Sequence, residues 1–235
     1  MTAFSLLSVL TAHAANTQLS PTPSAKTSTF PISYLPFAIT APGTYVITKN
    51  LSFSSPNSAA ITISTALSGP VVLDLKGFTL TGGGYNNFNA GIGIGILPAS
   101  LGFQGVSNTY PITVRNGTIR DFEIGVLAPS ANSITLNNLT FVIAQIPPYP
   151  DPFGLSVSTG VSFFFVNSSN ISNCVFKSVT NSFAAKGIGD TGSLGGNRYT
   201  NDSFNAVSEC VAVSNNNGNT TTVLDSCQFS PPPSN

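Results

Sequence analysis

The sequence predicts an all-β fold, a parallel β-helix (solenoid) of about seven coils with an Asn ladder. Three observations predict it. A strand–turn–strand unit recurs along the chain, an Asn or Gly stands at the break of most copies, and the chain carries almost no charge.

The unit is clearest in Ile134-Thr135-Leu136-Asn137-Asn138-Leu139-Thr140-Phe141. Apolar residues alternate at 134 and 136, Asn138 interrupts them, and Phe141 resumes. Period-two alternation marks a strand with one buried face. Asn at the break is a turn signal, because it tolerates left-handed backbone angles and hydrogen-bonds locally. Read the same way, the turn column runs Asn50, Gly77, Asn116, Asn138, Asn173, Asn201 and Ser226. The apolar column after it runs Phe53, Leu80, Ile119, Phe141, Phe176, Phe204 and Phe229.

A second element precedes most copies: Ala60-Ile61-Thr62-Ile63, Gly91-Ile92-Gly93-Ile94, Gly125-Val126, Gly160-Val161, Gly187-Ile188 and Cys210-Val211-Ala212-Val213. Its spacing to the turn column is long only in the second copy, where residues 97–111 read as an insertion. Short strands without helical periodicity between them fit a coil that stacks in parallel on the next one. Asn side chains in one column would then bond to their neighbours above and below, satisfying buried amides. A β-sandwich also accommodates short regular strands, but it does not require one Asn column at a fixed offset.

The segments APGTYVITKNLSF, VVLDLKGFTLTG and ITVRNGTIRDFEIGV resemble bacterial right-handed parallel β-helix proteins of the pectin-lyase-like superfamily, over about residues 36–229. The resemblance implies a right-handed solenoid. It does not imply one activity, because that fold hosts lyases, hydrolases, epimerases, adhesins and binding proteins. Lyases of the superfamily resemble one another in an Arg or Lys base beside an acidic Ca²⁺ cluster along the first-strand face, and hydrolases in a cluster of Asp residues. Here the outward first-strand positions read Thr62, Gly93, Leu127, Ser162, Gly189 and Ala212, none titratable.

Composition narrows the function classes. The chain has 8 Lys plus Arg and 8 Asp plus Glu in 235 residues, and 7% charged residues against roughly 25% in an ordinary domain. A nucleic-acid partner is not expected, since phosphate binding needs a basic stripe. Apolar residues at 41% argue against disorder. Phe4–Leu10 followed by Ala12-His13-Ala14 reads as an export signal over residues 1–15, too short to span a bilayer. Residues 16–35 read as a Ser/Thr/Pro-rich linker, 36–230 as the β-helix, and 231–235 as a Pro-rich tail. The expected location is outside the cell or in the envelope or periplasm.

The one His, His13, lies inside the expected signal, which removes His-based catalysis from a processed chain. Cys174 and Cys227 share a column two coils apart, too far for a disulfide, and Cys210 sits on a different strand. All three read as buried packing residues rather than reactive thiols. Arg115, Arg120, Asp121 and Glu123 cluster in sequence and could form a Ca²⁺ or uronate site or simply a solvated turn. Two carboxylates are too few to hold Ca²⁺ without carbonyl help, so no cofactor is expected. Lys186 and Glu209 fall at matching positions on successive coils, as a surface pair. Sequons begin at Asn50, Asn116, Asn138, Asn167, Asn170, Asn201 and Asn219. Four lie in the turn column, where burial would bar a glycan.

No residue is assigned a catalytic role. The leading expectation is a non-catalytic protein that binds carbohydrate or serves at a cell surface. Loops 82–90 and 144–153 would bring Tyr85, Phe88, Tyr149 and Phe153 beside Arg120, Asp121 and Glu123 as a sugar site. One alternative is a polysaccharide lyase or hydrolase with an atypical site. Another is an ice or mineral binder, because Ser52, Thr79, Thr118 and Thr140 begin like a Thr ladder.

Overall fold

A computed structural model describes residues 28–55, 58–84, 91–98, 110–143, 158–178, 185–192, 195–205, 207, 209–214, 223–225 and 228–230. Among these residues the chain is all-β, with strands and no helix, and each strand pairing is parallel. Two long sheets result. Sheet A has 13 strands, running from Thr29–Ile32 and Gly43–Ile47 through Ile112–Arg120 and Ile134–Ile143 to Gln228–Ser230. Sheet B has 7 strands: Phe37–Ile39, Ala59–Ser64, Ile92–Leu97, Ile124–Pro129, Ser158–Phe164, Ala185–Thr191 and Glu209–Ser214. The chain alternates between the sheets, so each pass lies on the preceding one in a solenoid-like stack consistent with a parallel β-helix. The first strand, Thr29–Ile32, falls inside the stretch expected to be linker.

Register settles which residues share a column. On sheet A, Tyr45, Leu73, Val114, Leu136, Ile171 and Tyr199 align and face inward. The next inward column is Leu51, Leu80, Ile119, Phe141, Phe176 and Phe204. Leu51 therefore replaces Phe53, and Thr81 rather than Thr79 stands opposite Ser52. The Thr ladder comprises Thr79, Thr118 and Thr140 and ends at Val175. On sheet B, Ile61 aligns with Ile94, so the outward column contains Gly95 and not Gly93. Both corrections are slips of two residues, which leave the in–out alternation intact.

Gly93 instead joins Gly125, Gly160 and Gly187 in a glycine column on the core side of sheet B. These glycines face the Phe column of sheet A. Phe141 stacks on Phe176 with ring centroids 4.8 Å apart and planes 5° from parallel, and Phe176 on Phe204 at 4.9 Å and 7°. A Cβ on Gly160 would sit 2.7 Å from Phe176 Cδ1 and 2.8 Å from the Gly187 carbonyl oxygen. One on Gly125 would sit 2.9 Å from Phe141 Cδ1 and 2.5 Å from the Gly160 oxygen. The aromatic stack occupies the space that side chains on sheet B would need.

Two acids also lie in the interior. Asp190 continues the inward column of Ala128 and Phe163. Its Oδ2 accepts from Tyr199 Oη at 2.7 Å and Asn197 Nδ2 at 3.0 Å. Asp202 is 0% exposed. Its Oδ1 accepts from the Cys174 backbone N–H at 2.8 Å, while its buried Oδ2 has no hydrogen-bond partner among the described residues. Burial pushes the Asp202 carboxyl up to about 6. Burial, and then the Asp202 charge, push the Cys174 thiol up to about 12, so it is an inert packing residue.

Gly160→Ala should lower the unfolding free energy by about 1–3 kcal/mol through overpacking. Gly189→Ala on the outer face, where the nearest atom to the new Cβ would be Lys186 Cδ at 3.7 Å, should change it by no more than about 0.5 kcal/mol. Paired urea melts check this; equal losses would mean that the glycine column is not the constraint.

Asp202 gives a pH dependence of defined sign. Its folded-state pKa is raised to about 6, so its protonated form favours folding. Stability is then fullest below the unfolded value near 3.9 and falls as pH rises through about 6, by on the order of 3 kcal/mol. Melts of wild type and Asp202→Asn across that range should show a slope that the variant flattens.

Candidate functional site

The outer face of sheet B carries a broad concavity among the described residues. Its central column reads Ala38, Thr62, Gly95, Leu127, Ser162, Gly189 and Ala212, none titratable. Relief along the strands makes a groove. At one end Ile92 and Ile124 stand beside Thr159. At the other, Leu97 and Pro98 lie in line with Pro129, Phe164 and Phe165. Between these ends Leu127 forms the floor, and beside it the Leu97 side chain leans over Gly95, its Cγ 3.2 Å from where a Cβ would stand. The resulting groove encloses about 600 Å³ and is lined by apolar side chains among the described residues. This volume falls in the roughly 300–1,000 Å³ range of small-ligand pockets. Phe164 and Phe165 form its rim at 39% and 47% exposure.

This groove was missed in the sequence, although a signal was present. Phe163, Phe164 and Phe165 are consecutive, and alternation cannot send all three inward. Phe163 is buried and the next two are exposed.

The Arg120, Asp121 and Glu123 corner is less site-like. Arg120 Nε donates to Asp121 Oδ2 at 2.7 Å, and the two residues satisfy each other at the surface. Asp121 occupies a left-handed turn with φ of 59°. Glu123 begins the next bend, its amide donating to the Gly91 oxygen at 3.1 Å. Its side chain lies at the exposed surface, and partial desolvation raises its carboxyl above the usual range. The cavity beside this corner measures about 10 Å³, room for one water at most. Tyr85, Phe88, Tyr149 and Phe153 lie outside the described residues. Lys186 stands opposite Glu209 in register.

The Asn column has the expected backbone but different surroundings. Asn116, Asn138, Asn173 and Asn201 have φ of 61°, 53°, 55° and 55°. In the earlier pass, Lys76 and Gly77 both take positive φ at the turn, 53° and 82°. Asn50 is displaced from the column. It precedes Leu51, and its Oδ1 accepts from the Thr79 backbone N–H at 2.9 Å. The column is not buried: Asn50, Asn138, Asn173 and Asn201 are exposed and Asn116 is half-buried. The expected burial that would bar glycans from these sequons is therefore corrected. The reason is geometric, since in the left-handed bend the following residue points inward, as Leu139 and Cys174 do.

Side-chain bonding along the turn is nonetheless continuous through three passes. Asn138 Nδ2 donates to Asn116 Oδ1 at 3.1 Å, and Asn116 Nδ2 donates to both Asp74 oxygens at 3.2 Å. Asp74 also accepts from the Lys76 amide at 2.9 Å and Arg115 Nε at 3.0 Å. Burial pushes the Asp74 carboxyl up, but these donors and the Arg115 charge outweigh burial and hold it below its usual range. Asp74 thus anchors the Asn chain, a role the sequence reading did not assign.

No protein-family model matches the chain, and neither a curated protein nor a solved structure is significantly similar to it.

Asn138→Ala should cost about 1–2 kcal/mol, mainly through the left-handed backbone that Ala resists. Asn138→Gly should recover most of that loss, although it also lacks the bond to Asn116. Chemical denaturation of both variants checks the assignment: equal destabilisation would mean that the side-chain bond, and not the backbone angle, sets the preference for Asn.

Proposed function

We propose that the protein is a right-handed parallel β-helix of about seven coils, of the pectin-lyase-like kind, exported to the cell surface or envelope. It acts there by binding a surface component rather than by cleaving one. The outer face of sheet B is its contact surface. The observation that carries this reading is the apolar groove on that face. Polysaccharide-cleaving proteins that the sequence resembles would place titratable groups along this face, whereas here its central column is Gly95, Leu127, Ser162 and Gly189. The exposed rings of Phe164 and Phe165 offer apolar contact area at the groove rim, in place of the loop aromatics that the sequence suggested.

The test incubates the protein with acidic and neutral polysaccharides and with a cell-envelope preparation. It follows depletion of the protein and release of unsaturated or reducing ends. Depletion without release is expected, and it should be lost in Leu127→Asp. Product release would overturn the reading and point to a catalytic site elsewhere on the solenoid.

A further inference from the structure

The same groove restricts what can occupy it, an inference that rests on the outer face of sheet B being the contact surface. We propose that it binds the acyl chain of a single amphiphile, laid along the strands across the passes that begin at Ile92, Ile124 and Ser158.

Shape is the first argument. From Ile124 to Pro129 the strand runs roughly 17 Å, and three neighbouring strands span roughly 10 Å. The site is thus longer than it is wide. Its floor is Leu127, flanked on one side by the Leu97 side chain where it leans over Gly95, while Ile124 and Pro129 lie at the ends. Chemistry is the second. Among the described lining residues no side chain offers a hydrogen bond or a charge. Sugars and peptides carry polar groups that such a lining would strip of water without replacement, at a cost of about 1–3 kcal/mol each. An unbranched hydrocarbon loses nothing there and gains from burial. Size is the third. The groove holds about 600 Å³, the scale of a pocket for one small ligand. That space fits a single chain laid into it. The groove is also concave, so it suits a chain withdrawn into it better than the flat surface of a bilayer.

Phe165 closes one rim. Its φ is 54°, and its ring lies against Gly192, where an added Cβ would come within 2.6 Å of Phe165 Cε1. Glycine at 192 leaves the room that this ring occupies beside the groove. Phe165 is thus positioned by the neighbouring pass to cover part of a bound chain.

The experiment titrates the full chain with cis-parinaric acid, a fluorescent fatty acid, below its aggregation concentration. Wild type is compared with Leu127→Asp on the floor and Phe165→Ser on the rim, and circular dichroism verifies that each variant keeps its strand signal. Saturable binding weakened about tenfold or more in both variants is expected. No binding to wild type, or binding unchanged in both variants, would overturn the proposal. So would binding seen only with phosphatidylcholine vesicles, which would indicate a membrane surface. Dimerisation that Leu127→Asp abolishes would likewise overturn it, showing a second copy as the occupant. Failure here is separable from failure of the contact-surface reading: loss of polysaccharide or envelope depletion in Leu127→Asp, with no parinarate binding, would keep the face and reject the acyl chain.

Discussion

The fit between the Phe column of sheet A and the glycine column of sheet B is the constraint on which the rest of the fold depends. Parallel stacking puts equivalent residues of successive passes about 4.8 Å apart, close to the 4.8 and 4.9 Å separations of the Phe141, Phe176 and Phe204 rings. Rings at that spacing, nearly parallel, form a continuous apolar wall. The opposing strands must then present backbone alone, and Gly125, Gly160 and Gly187 do so. Where the ring gives way to Ile119, the opposite residue is still glycine, and a Cβ at Gly93 would approach Ile119 Cγ2 to 3.0 Å. The repeat is thus held by complementarity across the core as well as by hydrogen bonds along each sheet.

Much of this was legible in the sequence. Alternation around Asn116 and Asn138 predicted strands with one buried face, and Val114, Ile119, Leu136 and Phe141 are buried. Asn at the break predicted a left-handed bend, and four Asn residues have φ between 53° and 61°. Register was less legible, for a physical reason. A slip of one residue exchanges the inner and outer faces and shows at once, whereas a slip of two preserves them. Phe53 for Leu51 and Gly93 for Gly95 are both slips of two. Only the length of the preceding turn distinguishes the choices, and turn lengths vary most at Asn50 and at Lys76-Gly77, where the local conformation departs from the later passes.

The same limit hid the groove. Its lining depends on Gly95 standing beside Leu127, where Leu97 can lean over the glycine, which requires the correct register. Attention to titratable residues drew the reading instead to Arg120, Asp121 and Glu123, where Arg120 and Asp121 are already paired. Asp202 shows the converse problem. Asn201-Asp202-Ser203 reads as a polar turn, yet the bend that exposes Asn201 turns Asp202 into the core. A left-handed residue sends its successor inward whatever the successor's polarity. At that position the fold holds Leu139 in one pass, Cys174 in the next and Asp202 in the third.

Inner and outer faces of sheet B are made by the same short strands, so they cannot vary independently. Leu127 on the groove floor lies two residues after Gly125, and Ser162 two residues after Gly160. Those glycines rest on Phe141 and Phe176, respectively. A side chain introduced at either glycine would push its strand outward or displace the ring beneath it, because close-packed interiors transmit such strain. Either response alters the height of Leu127 on the groove floor relative to Leu97 and Phe164 on the neighbouring passes. The aromatic stack therefore acts as the foundation of the outer face, and the groove there inherits its shape from the core beneath it.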